Sequence, residues 1–136
     1  HNCDEHIRMV RTEKYKLISN AYTEVPFGTP SDIGSSPTWL SLYKNKNEGK
    51  LTDNQKLLFQ VPRDEYEFYN IIEDPMEVNN LIQSKELKNV INDLKKELEE
   101  WRKNTNDFPS TERRRYDNVD RTTGVKFDQT RLPPRL

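Results

Sequence analysis

Thiol chemistry is almost absent from this 136-residue chain, which has one cysteine, Cys3. It cannot close an internal disulfide, and no second cysteine exists for a thiolate zinc site or a redox pair. Long apolar runs are missing too. No stretch approaches the roughly 18 to 20 residues of a membrane span, and the N-terminus lacks the basic-then-apolar pattern of a signal peptide. Neither sign of charge is in excess. With 22 basic against 23 acidic residues, no long-range field draws in nucleic acid or an anionic membrane, so neither is expected as a partner. Glycine is scarce at four residues, and no Gly-rich phosphate loop, HExxH, GxSxG or Cys/His cluster at zinc spacing occurs. Nothing in the sequence supports unaided covalent catalysis, and no residue is assigned a catalytic or metal-binding role.

What remains is highly charged, with 33% Asp, Glu, Lys and Arg against 32% apolar residues. Leu, Ile, Val and Phe number 31, about 23% of the chain, just above the level below which charged sequences stay disordered. One modest domain is expected. Because the chain opens on a histidine and enters a patterned segment within a few residues, it reads as a piece of something longer.

Ile7–Thr12 and Tyr15–Ser19 are two short runs rich in β-branched and aromatic residues around the polar pair Glu13-Lys14, which predicts a hairpin. Glu-Lys is a poor match to Asn-Gly turn chemistry. Alternation puts Arg8, Val10 and Thr12 on one face and Met9 with Arg11 on the other. Residues 20 to 37, punctuated by Pro26, Gly28, Pro30, Gly34 and Pro37, form a loop long enough to serve as a pocket wall. Pro37 opens a short helix with Trp39, Leu40, Leu42 and Tyr43; Thr52-Asp53-Asn54-Gln55 opens a second with Leu57, Leu58 and Phe59. A third strand is predicted over 67–71, before Asp74-Pro75. The period then becomes helical over 85–103, where Leu87, Val90, Ile91, Leu94, Leu98 and Trp101 make one stripe and Ser84 is a candidate N-cap. The stripe is expected to pack on the chain's own sheet. Beyond Asn104 the apolar positions thin out, and a tail carrying Arg113-Arg114-Arg115 reads as an extended strap or as disorder. Glu112 and Asp117 flank that run and favour a solvated or salt-bridged turn over a nucleic-acid patch.

The candidate recognition chemistry lies near the N-terminus. Arg8 and Arg11 beside His1 and His6 make a possible anion-binding edge, because a guanidinium matches the geometry of sulfate, phosphate or carboxylate. The competing reading, favoured by the residues alone, is ordinary salt bridging with Asp4, Glu5 or Glu13. Cys3 near histidines hints at a nucleophile, but neighbours at a chain end are not a preorganised pair.

The ordered series His1-Asn2, Arg8 through Ile18, Gly34 through Leu40, Gly49-Lys50-Leu51-Thr52, Glu67-Phe68-Tyr69-Asn70, Asp74 through Leu81, and Trp101 with Thr105-Asn106-Asp107 resembles the C-terminal subdomain of sulfatases. The serine-proline loop and the Gly-Lys-Leu-Thr step look most like the N-sulfoglucosamine sulfohydrolase (sulfamidase) branch. The likeness covers residues 1–108, leaving 109–136 as an extended tail. The resemblance implies an α+β fold, a small antiparallel sheet with a long amphipathic C-terminal helix packed on it, belonging to an alkaline-phosphatase-like sulfatase. It implies a parent enzyme that hydrolyses sulfate ester or N-sulfate groups on a sugar or glycosaminoglycan, in the periplasm or outside the cell.

It further implies that calcium and a formylglycine belong to a missing N-terminal catalytic domain, which becomes the expected partner together with the sulfated sugar. Cys3, followed by Asp4-Glu5-His6, departs from the C/S-x-P/A-x-R formylglycine motif. On this resemblance the chain alone is expected to be inactive and to shape the substrate pocket, with Arg8 contacting substrate and His1, Asn2 and His6 beside it. The alternative is a stand-alone carbohydrate- or protein-binding module with the same fold.

Overall fold

A computed structural model describes residues 5–24, 26–27, 32–110, 119 and 123–126. In chain order the elements are β1 (Ile7–Arg11), β2 (Tyr15–Asn20), α1 (Pro37–Asn47), α2 (Asp53–Lys56) running into a 3-10 turn (Leu57–Phe59), β3 (Tyr66–Asn70) and α3 (Lys88–Thr105). By their contacts the described residues group into two compact units, one containing 6–23 and 64–109, the other containing α1 and α2.

The first unit is the sheet and its helix. The three strands are antiparallel in the order β1-β2-β3, so the predicted hairpin and its third partner are both present. The hairpin turns without a positive φ at Glu13 or Lys14. Thr12 substitutes for turn-forming residues there: its hydroxyl accepts from the Tyr15 amide at 2.9 Å, while its own amide donates to the Tyr15 carbonyl at 2.8 Å. A Ser/Thr hydroxyl that bonds nearby backbone can stabilise a turn that the central residues do not favour.

Register puts Val10, Leu17 and Phe68 side by side on one face. There they meet Ile91 and Leu94 of α3 in the core, with Tyr15, Tyr66, Leu81, Ile82, Leu87 and Val90 packed around them. Leu17 and Phe68 are completely buried, each contributing about 1.5–3 kcal/mol of transfer free energy. The Tyr15 and Phe68 rings stack at 5.2 Å.

Two boundaries differ from the sequence expectation. β3 runs from Tyr66 to Asn70, one residue earlier than predicted, because the Ile71 amide already bonds Lys14 and Asn70 opens a turn by accepting from Ile72 and Glu73. α3 starts at Lys88, without a side-chain cap. The N-cap position is Leu87, and Ser84 lies three residues earlier, in a turn where its amide bonds the Leu81 carbonyl, so Ser84 is not the N-cap. The buried stripe is Ile91, Leu94, Leu98 and Arg102; Trp101, one position away from that line, is 44% exposed.

The Asp74–Leu81 segment, part of the family-like signature, acts as a clamp on β3. The Asn80 side-chain oxygen accepts the Phe68 amide at 2.9 Å, and the Leu81 amide donates to the Phe68 carbonyl at 2.7 Å. Asp74 accepts the Asn79 amide at 2.8 Å. The outer backbone edge of β3 is thereby satisfied by a loop, one of the ways a sheet edge is closed against stray pairing.

In the second unit, Ser36 caps α1 by accepting the Trp39 amide, with Pro37 in the first turn. Gly49, at φ 68°, stops the helix while Lys50 and Gly49 amides reach back to Asn45 and Lys46 carbonyls, the paired bonds of a Schellman stop. Thr52 and Gln55 then form a reciprocal capping box that starts α2. The step Gly49-Lys50-Leu51-Thr52 thus ends one helix and begins the next. No residue of α1 is buried; its aromatic side packs locally, with Trp39 5.4 Å from Phe59 and Lys46 4.9 Å from the Phe59 ring.

Candidate substrate-binding edge

The C-terminal end of α3 decides the geometry of the site. Asn106 takes the left-handed conformation (φ 53°), which asparagine tolerates better than most residues. The Asp107 amide donates to the Arg102 carbonyl at 3.0 Å and the Asn106 amide to Lys103 at 3.4 Å, again a Schellman arrangement. The helix end therefore fixes the backbone at Asp107.

From that position Asp107 grips β1. Arg8 Nε donates to Asp107 Oδ2 at 2.6 Å and Arg8 Nη2 to Oδ1 at 2.7 Å, while Nη1 donates to the Ile7 carbonyl at 2.9 Å. This two-bond fork is the strongest common form of the Arg–carboxylate pair. Arg8 keeps the Asp107 carboxyl below the usual aspartate range by hydrogen bonding and charge. The salt-bridge reading of Arg8 was right in kind, but the partner is 99 positions away; Glu5 pairs instead with Arg63 at 3.0 Å.

His6, just before β1, is 9% exposed and lies with its Nε2 3.2 Å from Asp107 Oδ2. The contact is close without hydrogen-bond alignment, since neither ring nitrogen has a well-directed partner. Burial, reinforced by the positive charge of Arg8 and opposed by Asp107, lowers the His6 pKa from its ordinary value. Behind this pair, Arg102 ties helix to sheet: its Nη2 donates to Ser19 Oγ at 3.0 Å and its Nη1 to Glu99 at 2.7 Å.

Of the sequence candidates, the structure brings Arg8 and His6 together on one carboxylate. His1 and Asn2 lie outside the described residues, as do Cys3, Gly28, Pro30 and the Arg113–Arg115 run. Arg11 points to the opposite sheet face from Arg8 and is exposed. Asp107, Arg102 and Ser19 escaped sequence reasoning as site residues. The readable signal for Asp107 was an Asn-Asp pair after a helical stripe, which marks a left-handed helix stop.

Among the described residues no group of three or more His, Cys, Asp and Glu side chains could hold a metal ion. In the second unit, Pro37, Thr38, Ser41, Leu42, Asn45 and Gln55 line an open polar groove of about 450 Å³. Among the described residues no helix is long and apolar enough to cross a membrane.

Residues 43–104 match the family model described as N-sulphoglucosamine sulphohydrolase, C-terminal. The chain is also 35% identical over 96 residues to an ulvan-active sulfatase of Formosa agariphila. Both matches are to sulfatases, and they support a C-terminal sulfatase subdomain as what this chain is similar to. The alignment with the Formosa enzyme takes in 70% of this chain and 16% of that protein's length. The α+β architecture, a three-stranded antiparallel sheet carrying one long helix, is the sulfatase C-terminal fold expected from sequence.

Proposed function

We propose that this sulfatase subdomain belongs to an enzyme that hydrolyses sulfate ester or N-sulfate groups on a sugar or glycosaminoglycan, and that it shapes the substrate pocket while bond breaking occurs elsewhere. The observation that carries the reading is the one-third-exposed Arg8 guanidinium, fixed at a sheet edge by a carboxylate 99 positions along the chain. A substrate group held in one orientation reaches the reacting centre without the entropic cost of a search.

Arg8 contacts an anionic or hydroxyl group of the sugar, His6 supplies a wall beside it, and His1 and Asn2 lie close by along the chain. The N-terminal catalytic domain of the same protein is the partner, and calcium and formylglycine belong there. When bound, they supply charge stabilisation and the nucleophile for attack at sulfur. The name of the Formosa relative makes sulfated polysaccharides of the ulvan type a first substrate to try, beside N-sulfated glucosamine chains. Steady-state kinetics of the full-length enzyme test the reading. Arg8→Ala should raise KM about tenfold or more, the scale of one lost charge-assisted contact; unchanged kcat and KM would remove Arg8 from the site.

A stand-alone module that binds sulfated glycans through the same edge is the second reading. The absence of a metal-ligating cluster among the described residues is compatible with either one. Binding of heparin-type oligosaccharides by the isolated chain, followed by calorimetry, separates them: the module reading requires heat, and the pocket-wall reading does not.

A further inference from the structure

Arg8 has five N–H groups in a rigid plane, and three of them are used inside the chain. Nε and one hydrogen of Nη2 serve Asp107, and one hydrogen of Nη1 serves the Ile7 carbonyl. Two N–H groups are left, one on each terminal nitrogen, on a side chain that is 33% exposed. The Asp107 carboxylate occupies the Nε edge of the plane, so these two donors lie away from it. They match an incoming oxyanion.

We propose that Asp107 is a positioning residue, which holds the Arg8 guanidinium so that its remaining pair of N–H groups is presented to an oxyanion of the substrate, either sulfate or carboxylate. The inference rests on the proposed role of Arg8 and adds the group that gives it direction. Without Asp107, the Arg8 side chain has four rotatable bonds and solvent access, and an oxyanion must order it on binding. With Asp107 that ordering is complete beforehand, because the left-handed stop at Asn106 fixes the carboxylate in turn. Preorganisation of this kind appears in substrate affinity rather than in the chemical step.

His6 completes the surroundings of the Asp107 carboxylate, its Nε2 3.2 Å from Oδ2. One carboxylate faces one guanidinium, so the local balance does not trap a free anion by net charge alone. Recognition depends on direction. The groups facing the Asp107 carboxylate are Arg8 and His6 of the β1 segment, with Arg102 of α3 near enough to influence His6.

The test uses the full-length enzyme with a sulfated polysaccharide, measuring KM and kcat for the wild type, Asp107→Asn, Asp107→Glu, Arg8→Ala and the Arg8→Ala/Asp107→Asn double variant. Asp107→Asn should raise KM about five- to tenfold with kcat changed less than about twofold, and Asp107→Glu should recover part of the loss. The double variant should be no worse than Arg8→Ala alone, because Asp107 acts through Arg8. Additive losses in the double variant, or an unchanged KM in Asp107→Asn beside a raised KM in Arg8→Ala, would overturn the positioning role while leaving the reading of Arg8 intact. An unchanged KM in Arg8→Ala would overturn both. If Asp107→Asn does not fold, the comparison of Asp107→Glu with wild type decides: an unshifted KM, despite the longer arm, contradicts directional positioning.

Discussion

The sheet with α3 and the segment carrying α1 and α2 are built on opposite terms. In the first, Leu17 and Phe68 are fully buried and α3 contributes Ile91, Leu94 and Leu98 to the same core. In the second, α1 has no buried residue and α2 has none either. The first is stabilised by removing apolar surface from water; the second relies on caps, a glycine stop and local ring contacts. A segment held chiefly by local hydrogen bonds opens at lower free energy than a packed core. The difference teaches where to look for structure and where to look for adaptable surface.

Breaking the core should have the largest effect. Phe68→Ala removes the ring that stacks on Tyr15 and touches α3, and should cost about 3–5 kcal/mol in urea denaturation followed by circular dichroism. A loss under about 1 kcal/mol would mean that sheet and helix do not share a core.

A smaller effect should come from acid. The His6 pKa is lowered by folding, so as pH falls below its ordinary 6.5 the unfolded chain takes up a proton that the folded one resists, and stability declines. Asp107 adds a second loss at lower pH: its carboxyl titrates below the ordinary 3.8, so the stabilisation from Arg8 is present above that value and disappears as pH falls through the folded pKa. Thermal unfolding at pH 7 and pH 5 should show a drop for the native chain and a smaller drop for His6→Gln. Equal drops would take His6 out of the account.

The smallest effect should fall on the second segment. Thr52→Ala removes one half of the capping box and should cost about 0.5–2 kcal/mol locally, seen as faster hydrogen exchange of the amides near Gln55, with β2 and β3 unchanged. Faster exchange throughout the sheet would show that the two regions are coupled more tightly than their burial suggests.

The same contrast explains what could be read from sequence. Periodicity found β1, β2, β3 and α3 because a buried face imposes a regular pattern, and Pro37, Gly49 and Thr52 marked the ends of α1 and α2 because caps have local signatures. The start of α3 lies three residues later than its spacing predicts: Ser84 is a good capping residue in isolation, but residues 82–87 run through turns and bends and the N-cap position falls on Leu87. Trp101 fits the helical stripe by spacing but lies beside the line that meets the sheet. The site was half legible. Arg8 and His6 stood out by chemistry and by the family likeness, whereas Asp107 became visible only when folding brought residues 99 apart into contact. Local rules do not encode a partner at that distance.

The central proposal is a division of labour, in which this subdomain would orient a sulfated sugar and another part of the same protein would cleave it. Sulfate release from a sulfated polysaccharide, measured side by side for the full-length enzyme and for the 136-residue chain, tests it most directly. The full-length enzyme should liberate sulfate and the chain should liberate none above background. Sulfate release by the purified chain at a rate comparable to the full-length enzyme would contradict it.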